Sequence, residues 1–274
     1  MLNKLLKHEF IATGRIMGAV YAVVLLIMAY VLGSYYINRD TASTGQILGI
    51  TVLLMISACS FFLTAIVMIV NFQKSLYGDR GYLSFTLPVK GSTLLISKIL
   101  SSTVWFIAAF ACLMGTAAVT FIVLKEDFLG EENYSLIESI LPMFLGGKSV
   151  ATVITTAIVY MFAYFIQFAV VTIEMYFAIT LANTRHFQKK YTLWTIVFTI
   201  GVFYVVEKIS SLFSDNLSMG LSVTGNSFSF VYDQAVTGAG STFINLIDPI
   251  IYLVFGVVLY YVTFYLMNKK INIK

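Results

Sequence analysis

The hydrophobic positions of this chain gather into six long runs, at about 16–37, 47–72, 98–124, 150–182, 192–213 and 243–267, separated by polar clusters. Each run reaches the roughly 20 apolar residues that a helix needs to cross a hydrocarbon core about 30 Å thick. With no water in that core, a crossing segment must satisfy its own backbone, and a helix does so locally. The runs therefore predict an all-α polytopic membrane protein: a single transmembrane domain over residues 1–274 with six transmembrane helices. The fourth run is longer than one crossing requires, so it is expected to tilt or to project at one end.

Residues 1–15 follow another pattern. Leu2, Leu5, Leu6 and Phe10 share one side while Lys4, Lys7, His8 and Glu9 occupy the rest. That is an amphipathic helix too charged to span, expected to lie along the inner membrane surface. The basic start followed by an apolar run has the polarity of a signal sequence. The run is long, however, and ends in Gly33-Ser34-Tyr35-Tyr36 without a small-x-small cleavage site, so a retained first span is expected.

Composition agrees with the runs. Hydrophobic residues make up 59% of the 274-residue chain, charged residues 11%, and the mean hydropathy is +0.90. A soluble domain has about a quarter of its residues charged. The net charge of +4 does not point to nucleic acid, because the basic residues sit in short clusters between apolar runs rather than in a continuous patch. They set orientation instead, since Lys and Arg are retained on the cytoplasmic side. With both termini inside, only Arg39, Lys125, Lys148 and Lys208 of the 17 basic residues fall outside, while Asp40, Glu126, Asp127, Glu131, Glu132, Glu138, Glu207, Asp215 and Asp233 collect there. Of the two long outer segments, 125–149 is acidic with room for a short helix through Tyr134–Ile140. The other, 214–242, is rich in Gly, Ser and Asn and reads as irregular or partly extended.

Little in the chain supports catalysis. Gly147-Lys148-Ser149 ends like a phosphate-binding loop, but the position of the first glycine in that motif is Pro142. His8 and His186, the only histidines, are far apart and belong to no metal-binding pattern. Cys59 and Cys112 each fall near the middle of an apolar run and read as small packing residues.

Chemistry within the spans is more informative. A carboxylate in a bilayer costs at least roughly 2.5 kcal/mol, so Glu174 and Asp248 each need a reason. In the fourth run Tyr160, Tyr164, Gln167 and Glu174 fall within an arc of roughly 80°. This polar face is either a substrate pathway or a seam that hydrogen-bonds neighbouring helices. Asp248, with Asn245 and Pro249, reads as a cap at a proline-shaped helix start. In the third run Ala108, Ala111, Cys112, Gly115 and Ala118 recur at spacings that allow close helix packing or a subunit interface.

The segment between the second and third runs is Lys74-Ser75-Leu76-Tyr77-Gly78-Asp79-Arg80-Gly81-Tyr82-Leu83-Ser84-Phe85-Thr86-Leu87-Pro88-Val89-Lys90, then Gly91-Ser92-Thr93-Leu94-Leu95-Ile96-Ser97-Lys98. It resembles the corresponding segment of bacterial ATP-binding-cassette (ABC) permeases of the type-2 exporter class. There a tyrosine and an acidic residue, a Y-L-x-F-T-L-P-V stretch and an L-L-x-S-K approach to the third span recur. The opening Met1-Leu2-Asn3-Lys4-Leu5-Leu6-Lys7-His8-Glu9-Phe10 is similar to the inner-surface helix that begins those permeases.

The resemblance implies a bacterial cell-membrane protein in which two six-span subunits, identical or related, form an export pathway. A separate cytoplasmic ABC ATPase, holding ATP and Mg, would drive it, so the chain itself would be no enzyme and would carry no cofactor. Asp79, Arg80, Tyr82, Leu83, Phe85, Leu87 and Lys90 are then the expected coupling residues. Their apolar members are unexplained in a free loop but suit a docking surface or the membrane edge. Lys98 is counted with the charges open to that partner. An amphipathic peptide or lipid-like cargo would suit the aromatic fourth run. The alternative is a secondary transporter or channel subunit driven by an ion gradient, whose usual inverted repeats and Gly- or Pro-broken midplane helices are not evident here.

Overall fold

The computed structural model describes residues 2–37, 44–78, 91–128, 150–184, 187–216, 219–224, 227–232 and 242–269. Among these are six helices that are long and apolar enough to cross a membrane. They are α1 (Leu2–Ile37), α2 (Thr44–Leu76), α3 (Gly91–Phe128), α4 (Val150–Ala182), α5 (Tyr191–Asn216) and α6 (Ile247–Lys269). Large apolar side chains point away from the protein, with Leu26, Phe62, Met161, Ile200 and Tyr261 each more than 60% exposed. An exterior of that kind is covered by lipid, and the chain is a multi-pass membrane protein.

Helix lengths differ from the hydropathy runs. The expected surface helix and first span form one uninterrupted 36-residue helix, about 54 Å long at 1.5 Å per residue. Nothing at residues 15–16 breaks it, because Thr13, Gly14 and Arg15 lack the helix-stopping chemistry of proline and the hydroxyl of Thr13 is absorbed by the carbonyl of Glu9 at 2.9 Å. The third helix begins at Gly91 and runs for 38 residues, so the polar turn Gly91–Ser97 is helical rather than part of the connection. The second continues to Leu76, with Phe72 and Leu76 fully buried in its last turns.

The chain divides into two compact units, the first over Met1–Tyr134 and the second over Ser135–Ile273. In the first, α1, α2 and α3 all pack against one another. Val31, Ile50, Leu53 and Val119 form one cluster there, and Met17, Met68, Phe72, Leu95 and Phe106 are further buried residues. The packed face of α3 is not the small-residue stripe. Ala109, Thr116 and Val119 are buried, whereas Ala111 and Ala118 are exposed and a side chain at Gly115 would meet open space. Cys59 is exposed, and both cysteines are free.

In the second unit α4 is central and packs on both α5 and α6. Half of the most apolar stretch of α4 is buried, against 11% for α5. The closest approach is where Val170 meets Gly256: a Cβ at Gly256 would sit 2.8 Å from a Val170 methyl, so glycine is what brings α6 onto α4.

The fold is not all-α. Three antiparallel strands, β1 (Gly220–Thr224), β2 (Ser227–Val231) and β3 (Thr242–Asn245), form a sheet of order β2-β1-β3. Gly220 lies opposite Val231 on one side and Asn245 on the other. A Cβ at Gly220 would collide with the Ile244 carbonyl oxygen, so only glycine allows this register. Because 242–245 is strand, the sixth helix starts at Ile247 rather than 243. The short helix expected through Tyr134–Ile140 lies outside the described residues.

Candidate functional site

A polar cavity of about 370 Å³ lies between α4, α5 and α6. Helix α4 contributes Ala163 and Gln167, one turn apart. From α5 come Glu207, Ser210, Ser211 and Ser214, whose spacing puts three of them on successive turns of one face. The first turns of α6 add Asp248, Pro249 and Tyr252.

The wall on the α6 side is built by its helix start. Asn245 Oδ1 accepts the Ile247 N–H at 2.9 Å, capping the helix, while its amide donates to Ser214 Oγ at 2.9 Å and Asp248 Oδ2 at 3.2 Å. Ser210 donates to Asp248 Oδ1 at 3.3 Å. Pro249 sits in the first turn, where a missing N–H costs nothing. The cap is therefore Asn245, and Asp248 is a carboxylate held by two neutral donors. Tyr252, one turn on, completes this wall.

The polar face expected on the fourth helix divides. Tyr160 and Tyr164 are 37% and 43% exposed and do not line the cavity, whereas Gln167 does. Glu174, about two turns beyond Gln167 on the same face, is buried at 2% exposed, and its Oε1 has no hydrogen-bond partner. Between them lies the Val170–Gly256 contact. Sequence reading assigned Glu207 to an outer segment; it belongs to α5, where its side chain is exposed at the edge of the cavity. The signal was present in Glu207, Ser210, Ser211 and Ser214 within the apolar fifth run. Among the described residues no three of His, Cys, Asp and Glu converge as metal ligands.

The first unit holds a separate polar knot. Lys98 on α3, 2% exposed, pairs with Glu9 on α1 at 2.6 Å, and the same carboxylate accepts from Asn71 Nδ2 on α2 at 3.1 Å. Further along, Trp105 Nε1 donates to Thr13 Oγ1 at 2.9 Å, and the Tyr21 hydroxyl donates to the Trp105 carbonyl at 3.1 Å. Lys98 is thus committed inside the unit and is not open to a partner. The coupling residues Asp79, Arg80, Tyr82, Leu83, Phe85, Leu87 and Lys90 lie outside the described residues.

No protein family, curated protein or solved structure matches the chain.

Proposed function

We propose that the chain is the membrane-spanning permease subunit of an ATP-driven ABC exporter in a bacterial cell membrane. It pairs with a second six-span subunit and a separate ATPase, and both of its termini are cytoplasmic. One observation carries this reading: the resemblance of residues 74–98 to the exporter segment, set between the second and third of six long apolar helices. The packing supports it. The chain leaves α2 at buried Phe72 and Leu76 and returns through α3, where Lys98 is fastened to α1 and α2. The ends of α2 and α3 on either side of this segment are thus packed within the first unit. A force applied at these helix ends is passed to all three helices of the unit, which pack on one another.

The test is co-purification of the tagged chain from its native membrane, followed by reconstitution with any ATPase recovered. ATP-dependent transport that is lost in Phe85→Ala and retained in Arg80→Ala is expected, because buried aromatic anchors often contribute over 2 kcal/mol and exposed ion pairs about 0 to 1. Recovery of no ATPase, or robust ATP turnover by the pure chain, overturns the reading. The acidic cavity and the unpartnered oxygen of Glu174 favour a second reading, a transporter driven by an ion gradient. Uptake into ATPase-free vesicles, driven by an imposed gradient, is its distinguishing result.

A further inference from the structure

We propose that a groove near the C-terminal end of α6 binds an acyl chain of an anionic phospholipid, whose headgroup is held at the membrane edge beyond Asn268. The groove has a volume of about 510 Å³, in the size range of small-molecule sites, and is lined by Tyr261, Val262, Phe264, Tyr265 and Asn268. That spacing keeps all five on one side of the helix, while Thr263, Leu266 and Met267 on the other side are buried in the unit. The groove therefore opens to the bilayer, with Tyr261 65% and Tyr265 49% exposed. Three aromatic rings and a valine make its walls, and Asn268 lies next to the end of the helix. Hydrocarbon matches such walls, whereas a polar solute would lose its hydration there for few hydrogen bonds.

The membrane edge supplies the charge. Val170 of α4 meets Gly256 of α6, and Ala182 and Asn268 each lie twelve residues further on (182 − 170 and 268 − 256), about 18 Å along their helices. Successive spans alternate in direction, so α4 and α6 run the same way and these two residues reach the same edge. The turn after α4 carries exposed Lys189 and Lys190, and Lys269 and Lys270 follow Asn268 directly in the sequence. Residues 183–192 and 268–274 contain no Asp or Glu. Cations without acidic neighbours at headgroup level attract anionic lipid. The same charge argues against a second copy as the occupant of this face, because its like-oriented lysines would be brought towards these. A soluble protein could meet the lysines but not a groove set in the hydrocarbon layer.

Photolabelling tests the site. The purified full chain is placed in phosphatidylcholine nanodiscs with a trace of phosphatidylglycerol, or of phosphatidylcholine, carrying a diazirine in one acyl chain, and the labelled peptides are mapped. The anionic probe is expected to label residues 261–268 at least threefold more than the neutral one, and unlabelled phosphatidylglycerol to compete that label away. Lys269→Gln with Lys270→Gln, or Lys189→Gln with Lys190→Gln, should at least halve the preference while the neutral probe labels as before. Equal labelling by the two probes overturns the site and leaves only the ordinary lipid coat. So does anionic label that avoids residues 261–268, or a preference unchanged in both lysine variants. In a variant lacking Cys59 and Cys112, a disulfide joining two chains through Val262→Cys, with no lipid label on 261–268, gives this face to a second copy and also overturns the proposal. Neither ATPase nor ATP enters the test, so its outcome is independent of the exporter reading.

Discussion

At the residue scale the most consequential side chain is Lys98. Its neighbours in sequence, Ser97 and Ile99, mark it only as a cation near the start of a span, and sequence reading left it open to a partner. Its actual partner, Glu9, is 89 residues away on another helix, a separation that no local pattern encodes. Removing one member of a buried pair strands the other charge, at a cost of about 3–5 kcal/mol. Lys98→Met is expected to destabilise the first unit by about 3 kcal/mol, and the double variant Glu9→Gln/Lys98→Met to recover part of that loss. Unfolding by sodium dodecyl sulfate in mixed micelles measures both. Equal stability of the single variant and the unaltered chain would remove the knot from any structural role. Glu174 was legible for a different reason: a carboxylate in an apolar run is conspicuous whatever surrounds it. Glu207 was equally in a run, but the charge count placed it with Lys208 among the outer residues.

At the element scale the six helices were legible because a bilayer imposes a length and a hydropathy on each, and these belong to contiguous residues. Their ends were not. Polar turns such as Gly91–Ser97 are helical here because buried Leu94 and Leu95 hold them against the unit. The sheet was harder still, since strands of four or five residues carry a weak alternation. The sheet matters to the cavity because β3 delivers Asn245 to the start of α6. Asn245→Ala removes the cap and both amide donations, so we expect a loss of about 1 kcal/mol. Hydrogen exchange should quicken at the Ile247 amide while the amides of α1–α3 keep their rates. Unchanged exchange at Ile247 would show that the cap does not hold the helix start.

At the scale of the whole molecule, the basic residues predict an orientation and the contacts divide the chain into two units. Single cysteines placed at Lys4 and Lys270 of a variant lacking Cys59 and Cys112 should react with an impermeant maleimide only after the membrane is opened. Cysteines at Asp40 and Asp233 should react in sealed cells. Labelling at position 4 in sealed cells would reverse the orientation. The three helices of each unit also meet the membrane with unequal debts. Buried hydroxyls such as Ser57, Ser60, Thr64, Thr103, Thr116, Thr120, Thr172, Thr180 and Thr263 each donate to a carbonyl three or four residues back on their own helix. These groups arrive in lipid already satisfied, so during synthesis each helix can be released from the insertion machinery alone, before any neighbour exists. The Lys98–Glu9 bond is of the other kind, joining groups 89 residues apart on two helices, so its closure is the moment at which separate insertions become one folded body.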